Sequence, residues 1–381
     1  MNKIDININS LPTPCYIVDE RLLIKNLEIL KSVMDRTGCK ILLAQKAFSM
    51  YSLYPLIGKY LSGTAASSLF EAKLGHEEMS EGETHIYSPA YREEEMDEII
   101  KISDHIVFNS PSQWKKYKEK VKSVDKKISC GLRINPEYSE IETDIYNPCF
   151  ENSRLGTTQF NFTEEDLEGL DGLHFHTMCE QNSDVLKRTI DVIDDEFGKY
   201  IKNMKWINFG GGHHITRDDY DIETLIECIM FIKNKYDVEV YLEPGEAIAL
   251  NTGYLVTEVL DLMKNGMDIA IVDTSAACHM PDVIEMPYRP NIINGGKPNE
   301  FEYTYRLGAP TCLAGDVIGD YSFKEPLKIG DRLIFCDMAI YTMVKNNTFN
   351  GINLPAIASY NEQDGIKIIK QFGYEDFKSR L

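Results

Sequence analysis

The chain has 381 residues and a formal net charge of −20, from 40 basic and 60 acidic side chains. That length predicts about two domains, and the acidic balance argues against a nucleic-acid partner because phosphate binding needs basic patches. No apolar run approaches a membrane span, and the first ten residues lack the pattern of a signal peptide, so we expect a cytoplasmic protein with no membrane partner. Nine scattered cysteines without a Cys-x-x-Cys pair favour reduced thiols over disulfides or a metal site.

Between residues 40 and 245, short apolar runs typical of β-strands alternate with longer stretches in which apolar residues have helical spacing. The eight strand-like runs cover residues 40–47, 63–67, 85–88, 105–110, 127–135, 172–177, 205–212 and 239–245. The helical stretches include residues 69–80, 92–103, 112–121, 183–200 and 219–236. Ser110 followed by Pro111 is typical of a helix start, with a capping residue and then proline at the first helical position.

This alternation, repeated eight times, predicts a (β/α)8 TIM barrel, whose strands are parallel because each crossover is too long for a hairpin. A doubly wound sheet is the alternative architecture. Beyond residue 250 short strand-like runs appear at 253–259, 268–272, 332–336 and 339–343, with turn signals between them. We therefore expect a barrel domain over residues 19–250 and a mostly β domain over residues 251–381, joined by an N-terminal strand within residues 1–18.

Chemically reactive residues end four of the barrel strands, where barrel enzymes carry their active sites. Lys46 ends the first run, His176 the sixth and Glu243 the eighth, while Gly210, Gly211 and Gly212 end the seventh. Each feature has an ordinary structural explanation: a lysine reaching solvent, a core histidine, a salt-bridged glutamate and a tight turn. Together they supply an amine for an aldehyde, an aromatic ring, an acid for a ring nitrogen and backbone N–H groups for a phosphate. That combination predicts a pyridoxal 5′-phosphate (PLP) site.

With these residues, the chain resembles the alanine-racemase-fold PLP decarboxylases, a group that includes ornithine, diaminopimelate and carboxynorspermidine decarboxylases. The resemblance extends from Pro12 to Tyr341. Its motifs are Ala-Gln-Lys-Ala at residues 44–47, Glu-Pro-Gly-Glu-Ala at 243–247 and Gly-Ala-Pro-Thr-Cys-Leu-Ala-Gly-Asp at 308–316. They are most similar to the carboxynorspermidine/carboxyspermidine branch, which implies decarboxylation of a cationic amino acid in polyamine biosynthesis.

The resemblance implies a role for each motif residue. Lys46 would bond covalently to the cofactor aldehyde, Glu243 would pair with the ring nitrogen, and His176 would stack on the ring. The implied cofactor-binding residues are Lys46, Arg154, His176, Gly210, Gly211, Gly212, Glu243 and Tyr341.

The resemblance also implies how the substrate is handled. Cys312 would return a proton to the substrate after carbon dioxide leaves, although a lone cysteine is more often a buried structural thiol. Asp316, Asp282 and Glu285 are the candidate carboxylates for the substrate amines, with solvated surface charge as the alternative for the last two. Cys312 and Asp316 would come from the second subunit of a homodimer with shared active sites.

Two departures from related decarboxylases affect the substrate. Glu246 stands where they often have an arginine near the phosphate, and Leu313 stands where ornithine decarboxylases have an acidic residue after the cysteine. Both departures weaken the case for a shorter substrate such as ornithine, arginine or diaminopimelate, but neither excludes it. A non-catalytic PLP-binding regulator is the alternative from another functional class, although a regulator would need neither Lys46 nor Cys312.

Overall fold

The structure, a computed structural model, describes residues 6–381. The described chain divides into two compact units, one formed by Asn26–Ile248 and the other by residues 6–25 together with Ala249–Leu381. Whether they match independently folding domains at residues 19–250 and 251–381 stays a prediction. Within the described residues, no helix is long and apolar enough to cross a membrane.

The unit Asn26–Ile248 contains a closed barrel of eight parallel strands. The strands, in spatial and chain order, are Lys40–Ala44, Gly63–Ala66, Glu83–Tyr87, His105–Phe108, Ser129–Asn135, Gly172–His174, Trp206–Asn208 and Glu239–Leu242. The last strand pairs with the first through Tyr241 and Lys40, and this pairing closes the barrel. Each strand overlaps one of the eight predicted runs, so the predicted (β/α)8 barrel is confirmed and the doubly wound sheet is excluded. A two-residue strand, Thr157–Thr158, pairs outside the barrel with the fifth strand.

Helices alternate with the barrel strands as the apolar spacing predicts. Those of the first 250 residues are Glu20–Thr37, Tyr54–Ile57, Leu69–Glu78, Met96–Ile102, Pro111–Lys122, Ser183–Ile201, Ile222–Tyr236 and Glu246–Ala249. The predicted start at Ser110 is confirmed: its side chain accepts a hydrogen bond from the N–H of Gln113, and Pro111 is the first helical residue. The predicted helix at 92–103 is shorter, because the 3-10 turn Glu93–Glu95 precedes Met96–Ile102.

The barrel interior combines an apolar cluster with a small polar network. Leu42, Val107, Trp206 and Tyr241 pack together and are buried. Beside them, the rings of His85 and His105 stack with their centroids 3.9 Å apart. Glu83 accepts from the ammonium of Lys40 and lies 2.8 Å from Nε2 of His85. Lys40, Glu83 and His85 are thus paired with one another, as burial requires, whereas Nδ1 of His105 has no partner among the described residues.

The other unit is built on a sheet of eight strands. Seven follow one another in the spatial order Val317–Phe323, Tyr303–Gly308, Met267–Val272, Gly253–Asn265, Cys15–Asp19, Ala356–Asn361 and Gly365–Lys370. The eighth, Arg332–Cys336, pairs antiparallel with the first part of Gly253–Asn265. Three short helices accompany the sheet, Ala276–His279, Asp282–Glu285 and Tyr374–Lys378. The predicted mostly β domain with an N-terminal strand is therefore confirmed as an architecture.

Two details of this unit differ from the sequence prediction. The predicted strand at 339–343 is wrong, because this segment forms bends and turns and the backbone of Tyr341 is left-handed, with φ of 52°. A bulky residue with positive φ does not fit a regular strand. The N-terminal strand is restricted to Cys15–Asp19, while Ile8–Ser10 form a 3-10 turn and residues 1–5 lie outside the described chain.

Candidate active site

A cavity lies at the carboxyl ends of the barrel strands, where a barrel enzyme binds its substrate. It brings together Lys46, His176, Gly211 and Glu243, which were predicted from four separate strands. Its lining residues are Ala44, Lys46, Ala65, Ala66, Ser67, Tyr87, Arg133, His174, His176, Gly211 and Glu243. The geometry within Asn26–Ile248 therefore supports one site built from most of the predicted barrel residues.

Lys46 follows the first barrel strand and presents its side chain to the cavity. The residue is exposed and lines the cavity, while the surrounding protein atoms partly exclude water from its amine. This burial, together with the positive charge of Arg133, lowers the pKa of Lys46 below its ordinary value, against the opposing effect of Glu243. A lysine with a lowered pKa carries more neutral amine at physiological pH, the form that attacks an aldehyde.

Glu243 holds its carboxylate between two donors. Nδ2 of Asn208 donates to Oε1 at 2.7 Å, and Nε2 of His174 lies 3.2 Å from Oε2. Burial opposes ionisation, but His174, His85 and Asn208 overcome it and lower the pKa of Glu243 to about 2. The side chain therefore faces the cavity as a carboxylate, which favours the protonated state of a pyridine nitrogen placed against it.

His174 and His176 alternate along the sixth strand, and both line the cavity. Burial lowers the pKa of His174, so its neutral ring donates Nε2–H to the carboxylate of Glu243, which can only accept. Its ring also stacks on Tyr87, with centroids 5.5 Å apart. Its Nδ1 is buried and has no partner among the described residues, which fits an unprotonated nitrogen.

His176 is held by the glycine loop. Its Nδ1 accepts a hydrogen bond of 2.8 Å from the N–H of Gly211. Burial and the charges of Lys46 and Arg133 lower the pKa of His176 well below its ordinary value. The ring is therefore neutral, with its proton on Nε2, and it is fixed in orientation before any ligand binds.

The three glycines need the conformational freedom and small size of glycine. Gly210 and Gly212 have φ of 68° and 84°, and a Cβ on either would lie 2.4 Å or less from a carbonyl oxygen. The N–H of Gly210 is donated to Oδ1 of Asn208 and that of Gly211 to His176. Of the three amides, Gly212 alone has no acceptor among residues 6–381. Phosphate binding by this loop stays a prediction; of the three glycines, Gly211 lines the cavity.

Two residues at the site, Arg133 and Asn208, were not identified from the sequence. Arg133 lies on the fifth strand, with its guanidinium 4.6 Å from the ring centroid of Tyr87, and its Nε is buried without a partner among the described residues. Asn208 links Glu243 to Gly210. The signal for Arg133 was present, since an arginine inside a buried strand needs a partner.

Arg154, predicted near the cofactor, does not line this cavity. Its side chain is exposed, and its carbonyl oxygen accepts a hydrogen bond of 2.8 Å from Asn109. Arg133 is the arginine that the structure brings to the cavity. Arg133 is buried, and its Nη2 donates to the carbonyl oxygen of His176 at 3.4 Å. Cofactor binding by Arg154 stays a prediction.

Glu246 turns its carboxylate toward a histidine. Its Oε1 lies 3.6 Å from Nε2 of His214, and both side chains are largely buried.

The remaining predicted residues belong to the other unit. Asp282 and Glu285, on one short helix, both accept hydrogen bonds from the ammonium of Lys345, the second at 2.5 Å. Tyr341 is half-buried, and its carbonyl oxygen accepts from the N–H of Lys345 at 3.0 Å. Asp282 and Glu285 therefore form one acidic pair around a single lysine.

Cys312 and Asp316 lie on one turn with opposite exposure. Of the nine cysteines, all of them described, Cys312 is the exposed one. Asp316 is buried, and its carboxylate accepts hydrogen bonds from Ser275, Ala277 and Thr311. Substrate binding by Asp316 stays a prediction, and both of its oxygens are engaged within the protein.

The residues of the cavity fit PLP. An aldehyde requires a lysine with available neutral amine, a pyridine nitrogen requires an ionised acid, and a ring requires a flat surface. Lys46, Glu243 and His176 provide these groups in one cavity. The glycine loop beside them packs so closely against the backbone of Phe175, Met178 and Glu243 that a Cβ would not fit.

Comparisons with known proteins agree with this chemistry. Residues 15–339 match the family model described as "Pyridoxal-dependent decarboxylase, C-terminal sheet domain". The chain is 45% identical to a carboxynorspermidine/carboxyspermidine decarboxylase from Campylobacter jejuni, over 97% of this chain and 98% of that protein. It is 41% identical to a carboxyaminopropylagmatine decarboxylase from Synechocystis, over 98% of this chain and 96% of that protein.

A solved structure matches over the same length. The crystal structure of carboxynorspermidine decarboxylase from Campylobacter jejuni, complexed with norspermidine, has a TM-score of 0.91 and 43% identity, and the match covers 97% of this chain and all of that one. The family model by itself matches most of this chain, residues 15–339 of 381. The chain belongs to the pyridoxal-dependent decarboxylases, lyases that use PLP as cofactor.

Proposed function

We propose that this enzyme decarboxylates carboxynorspermidine and carboxyspermidine, giving norspermidine and spermidine in polyamine biosynthesis. The observation that carries the proposal is the similarity over nearly the whole chain, at 45% identity, to a decarboxylase named for these two substrates. The cavity supports the chemistry, because it combines a lysine of lowered pKa with an ionised glutamate.

Lys46, Glu243 and His176 each have a part in this reaction. Lys46 would hold the cofactor through its aldehyde, and its neutral amine would be the group that bonds there when no substrate is present. When bound, PLP takes up the negative charge that remains at the substrate Cα after carbon dioxide leaves. Glu243 would favour the protonated ring nitrogen, and His174 and Asn208 keep Glu243 ionised and oriented. His176, held by Gly211, provides a fixed surface for the ring.

Cys312 returns the proton to Cα in this proposal. It is the exposed thiol of the chain, and it lies on a turn rather than in a core. An accessible thiol can act as a general acid, whereas a buried structural cysteine cannot reach a substrate. This role derives from the resemblance of residues 308–316 to the decarboxylase motif.

Asp282 and Glu285 are the carboxylates that we propose for the substrate ammonium groups. The two together carry one negative charge more than Lys345 neutralises, and Glu285 is about half exposed, at 52%. A cation that approaches this pair therefore meets a net attractive charge. The substrate amines of a carboxylated triamine are cationic near neutral pH and would use it.

A second substrate, carboxyaminopropylagmatine, is supported by a specific observation. The Synechocystis relative named for it is 41% identical over 98% of this chain. That compound differs at its far end, where a planar guanidinium replaces a primary ammonium, so discrimination depends on the shape of the distal subsite rather than on the cofactor residues. The two candidates therefore share Lys46, Glu243 and Cys312.

We also propose a homodimer in which each active site combines Lys46 of one subunit with Cys312 of the other; a cytoplasmic location stays a prediction. Mixing inactive Lys46→Ala and Cys312→Ala subunits tests the shared site. Recovery of about a quarter of wild-type activity is expected for random re-pairing, because half of the dimers are mixed and each has one intact site. No recovery in verified mixed dimers would contradict shared sites.

The substrate proposal is tested by identifying the product. PLP-loaded enzyme is incubated with carboxynorspermidine or carboxyspermidine, and the triamine formed is identified by mass spectrometry, with Lys46→Ala as control. Norspermidine and spermidine are the expected products. If PLP-loaded wild-type enzyme forms neither, the proposal is wrong.

A further inference from the structure

Asp316 has the surroundings of an internal anchor. The residue is 3% exposed. Its Oδ1 accepts from the N–H of Ala277 at 3.0 Å, and its Oδ2 accepts from Oγ of Ser275 at 2.6 Å and from Oγ1 of Thr311. A carboxylate offers about four acceptor positions. Three donors of the same unit therefore leave little capacity for a substrate ammonium.

The same residue closes the turn that carries Cys312. The carbonyl oxygen of Asp316 accepts from the N–H of Ala309 at 3.1 Å, and its own N–H donates to the carbonyl of Leu313 at 2.9 Å. Residues 312–315, between these bonds, are all exposed. Asp316 is the buried residue that follows this exposed segment in the chain.

A second bond fixes the cysteine itself. The N–H of Cys312 donates to Oδ1 of Asn350 at 2.7 Å. Thr311, its neighbour, donates its hydroxyl to Asp316 and accepts from the N–H of Leu313 at 3.4 Å. The two chain neighbours of Cys312, Thr311 and Leu313, are thus linked to Asp316 through the hydroxyl of Thr311.

Ser275 connects this turn to a helix. Its hydroxyl caps the helix Ala276–His279 by accepting from the N–H of Cys278 at 3.0 Å, and it donates its proton to Asp316. The N–H of Ala277, in the first turn of the same helix, also donates to Asp316. The carboxylate therefore holds the turn against the start of this helix with charge-assisted bonds.

We propose that Asp316 is a positioning residue, which fixes the turn so that the thiol of Cys312 is presented in one place, and that it does not bind the substrate. The inference rests on the proposed role of Cys312 as the proton donor. It revises the substrate role that the sequence suggested for Asp316. Asp282 and Glu285 differ from Asp316 as substrate-binding carboxylates should, because both retain exposed surface and together pair with one lysine.

A double-mutant cycle separates the two roles. Wild type, Asp316→Ala, Cys312→Ala and the double variant are compared in their PLP-loaded form, with whichever amino acid the wild type decarboxylates. Asp316→Ala is expected to lower kcat about tenfold or more and to change KM less than about threefold. A misplaced thiol slows the chemical step, whereas the contacts that bind the substrate stay intact. In the Cys312→Ala background, the same change is expected to lower kcat less than about twofold further, because residues that act as a unit are not additive.

The contrary results are equally specific. A rise in KM of about tenfold or more with kcat retained would mean that Asp316 binds substrate. Full additivity with Cys312→Ala would mean that it acts independently of the thiol. A Cys312→Ala variant as active as wild type would show that the thiol is not needed, and would contradict the claim that Asp316 acts by positioning it. A wild type that decarboxylates only a short amino acid would overturn the proposed substrate and leave this cycle informative.

A measurement without turnover tests the anchor itself. Hydrogen–deuterium exchange of residues 309–316 is compared between wild type, Asp316→Asn and Asp320→Asn, all PLP-loaded. Asp316→Asn keeps the side-chain size, so it serves if the alanine variant does not fold. Asp320 is a matched control, since it pairs with Arg306 on the surface of the next strand. Faster exchange in 309–316 is expected for Asp316→Asn alone, and unchanged exchange would overturn the anchor.

Discussion

Asn208 donates a hydrogen bond of 2.7 Å to Oε1 of Glu243, and so couples the seventh barrel strand to the proposed partner of the cofactor nitrogen. The same amide accepts the N–H of Gly210 through its oxygen, at 2.8 Å. One side chain thereby orients both the acid and the first residue of the glycine loop. The two ends of the proposed cofactor, its ring nitrogen and its phosphate, thus depend on a shared polar residue.

Replacing Asn208 by alanine is expected to weaken PLP binding. The change removes a hydrogen bond to a charged acceptor, usually about 1.5–3 kcal/mol, and this corresponds to a roughly 10- to 100-fold increase in the dissociation constant. The measurement is a titration of cofactor-free protein with PLP, followed by absorbance. Asn203→Ala, an exposed asparagine before the same strand, is the control. Equal affinities for wild type and Asn208→Ala would contradict the coupling.

Lys46 is expected to be the only lysine that PLP labels covalently. Borohydride reduction of the PLP-loaded protein, followed by peptide mass spectrometry, should find the cofactor on the peptide that contains residue 46. Lys46→Ala should take up no reducible cofactor, whereas Lys31→Ala, which removes an exposed helical lysine paired with Asp35, should behave as wild type. Stoichiometric labelling at another lysine would show that Lys46 is not the residue that holds the cofactor.

Arg133 should set the pH at which Lys46 becomes reactive. Burial and Arg133 both lower the pKa of Lys46, so removing the positive charge should raise it and keep the amine protonated to higher pH. The rate of PLP incorporation by Arg133→Met should therefore rise with pH at a higher midpoint than in wild type. Arg154→Met, at an exposed arginine outside the cavity, should leave the midpoint unchanged. If the midpoint pH shifted in Arg154→Met and not in Arg133→Met, Arg154 rather than Arg133 would be the arginine that lowers the pKa of Lys46.

Glu243 should contribute a pH-dependent part of the stability of the cofactor-free protein. Its pKa in the fold is about 2, below the ordinary value of 4.5, so its contribution is complete above that ordinary value and is lost as the pH falls toward 2. The depression corresponds to roughly 3 kcal/mol. The difference in unfolding free energy between wild type and Glu243→Gln should be constant above about pH 5.5 and shrink below pH 4.5. A difference independent of pH down to 3 would contradict the ionised assignment.

The barrel was predictable because its signal is repeated. Each strand is buried, so it appears as a short apolar run, and eight such runs separated by amphipathic stretches have few alternative folds. Lys46 and Glu243 were predictable for a related reason, since a charge at the end of a buried strand requires a specific partner. These features are local in the chain, and the parallel topology brings their ends together.

Other features depend on distant contacts. Nothing in the spacing around Asp316 distinguishes a carboxylate directed at a substrate from one held by Ser275, which lies 41 residues earlier in the chain. Arg133 was hidden inside a run that resembles any buried strand, and Arg154 was preferred from the motif around it. The run at 339–343 is apolar like a strand, yet the left-handed backbone of Tyr341 bends it away from one.

The central claim, decarboxylation of a carboxylated triamine, is tested most directly by carbon dioxide release. Values of kcat/KM for the PLP-loaded enzyme are compared across carboxynorspermidine, carboxyspermidine, carboxyaminopropylagmatine, ornithine, arginine and diaminopimelate. We expect carboxynorspermidine or carboxyspermidine to exceed each short amino acid by at least about 100-fold, because a short substrate lacks the additional ammonium group that Asp282 and Glu285 are proposed to bind. A kcat/KM for ornithine, arginine or diaminopimelate equal to or above those of the carboxylated triamines would contradict the account.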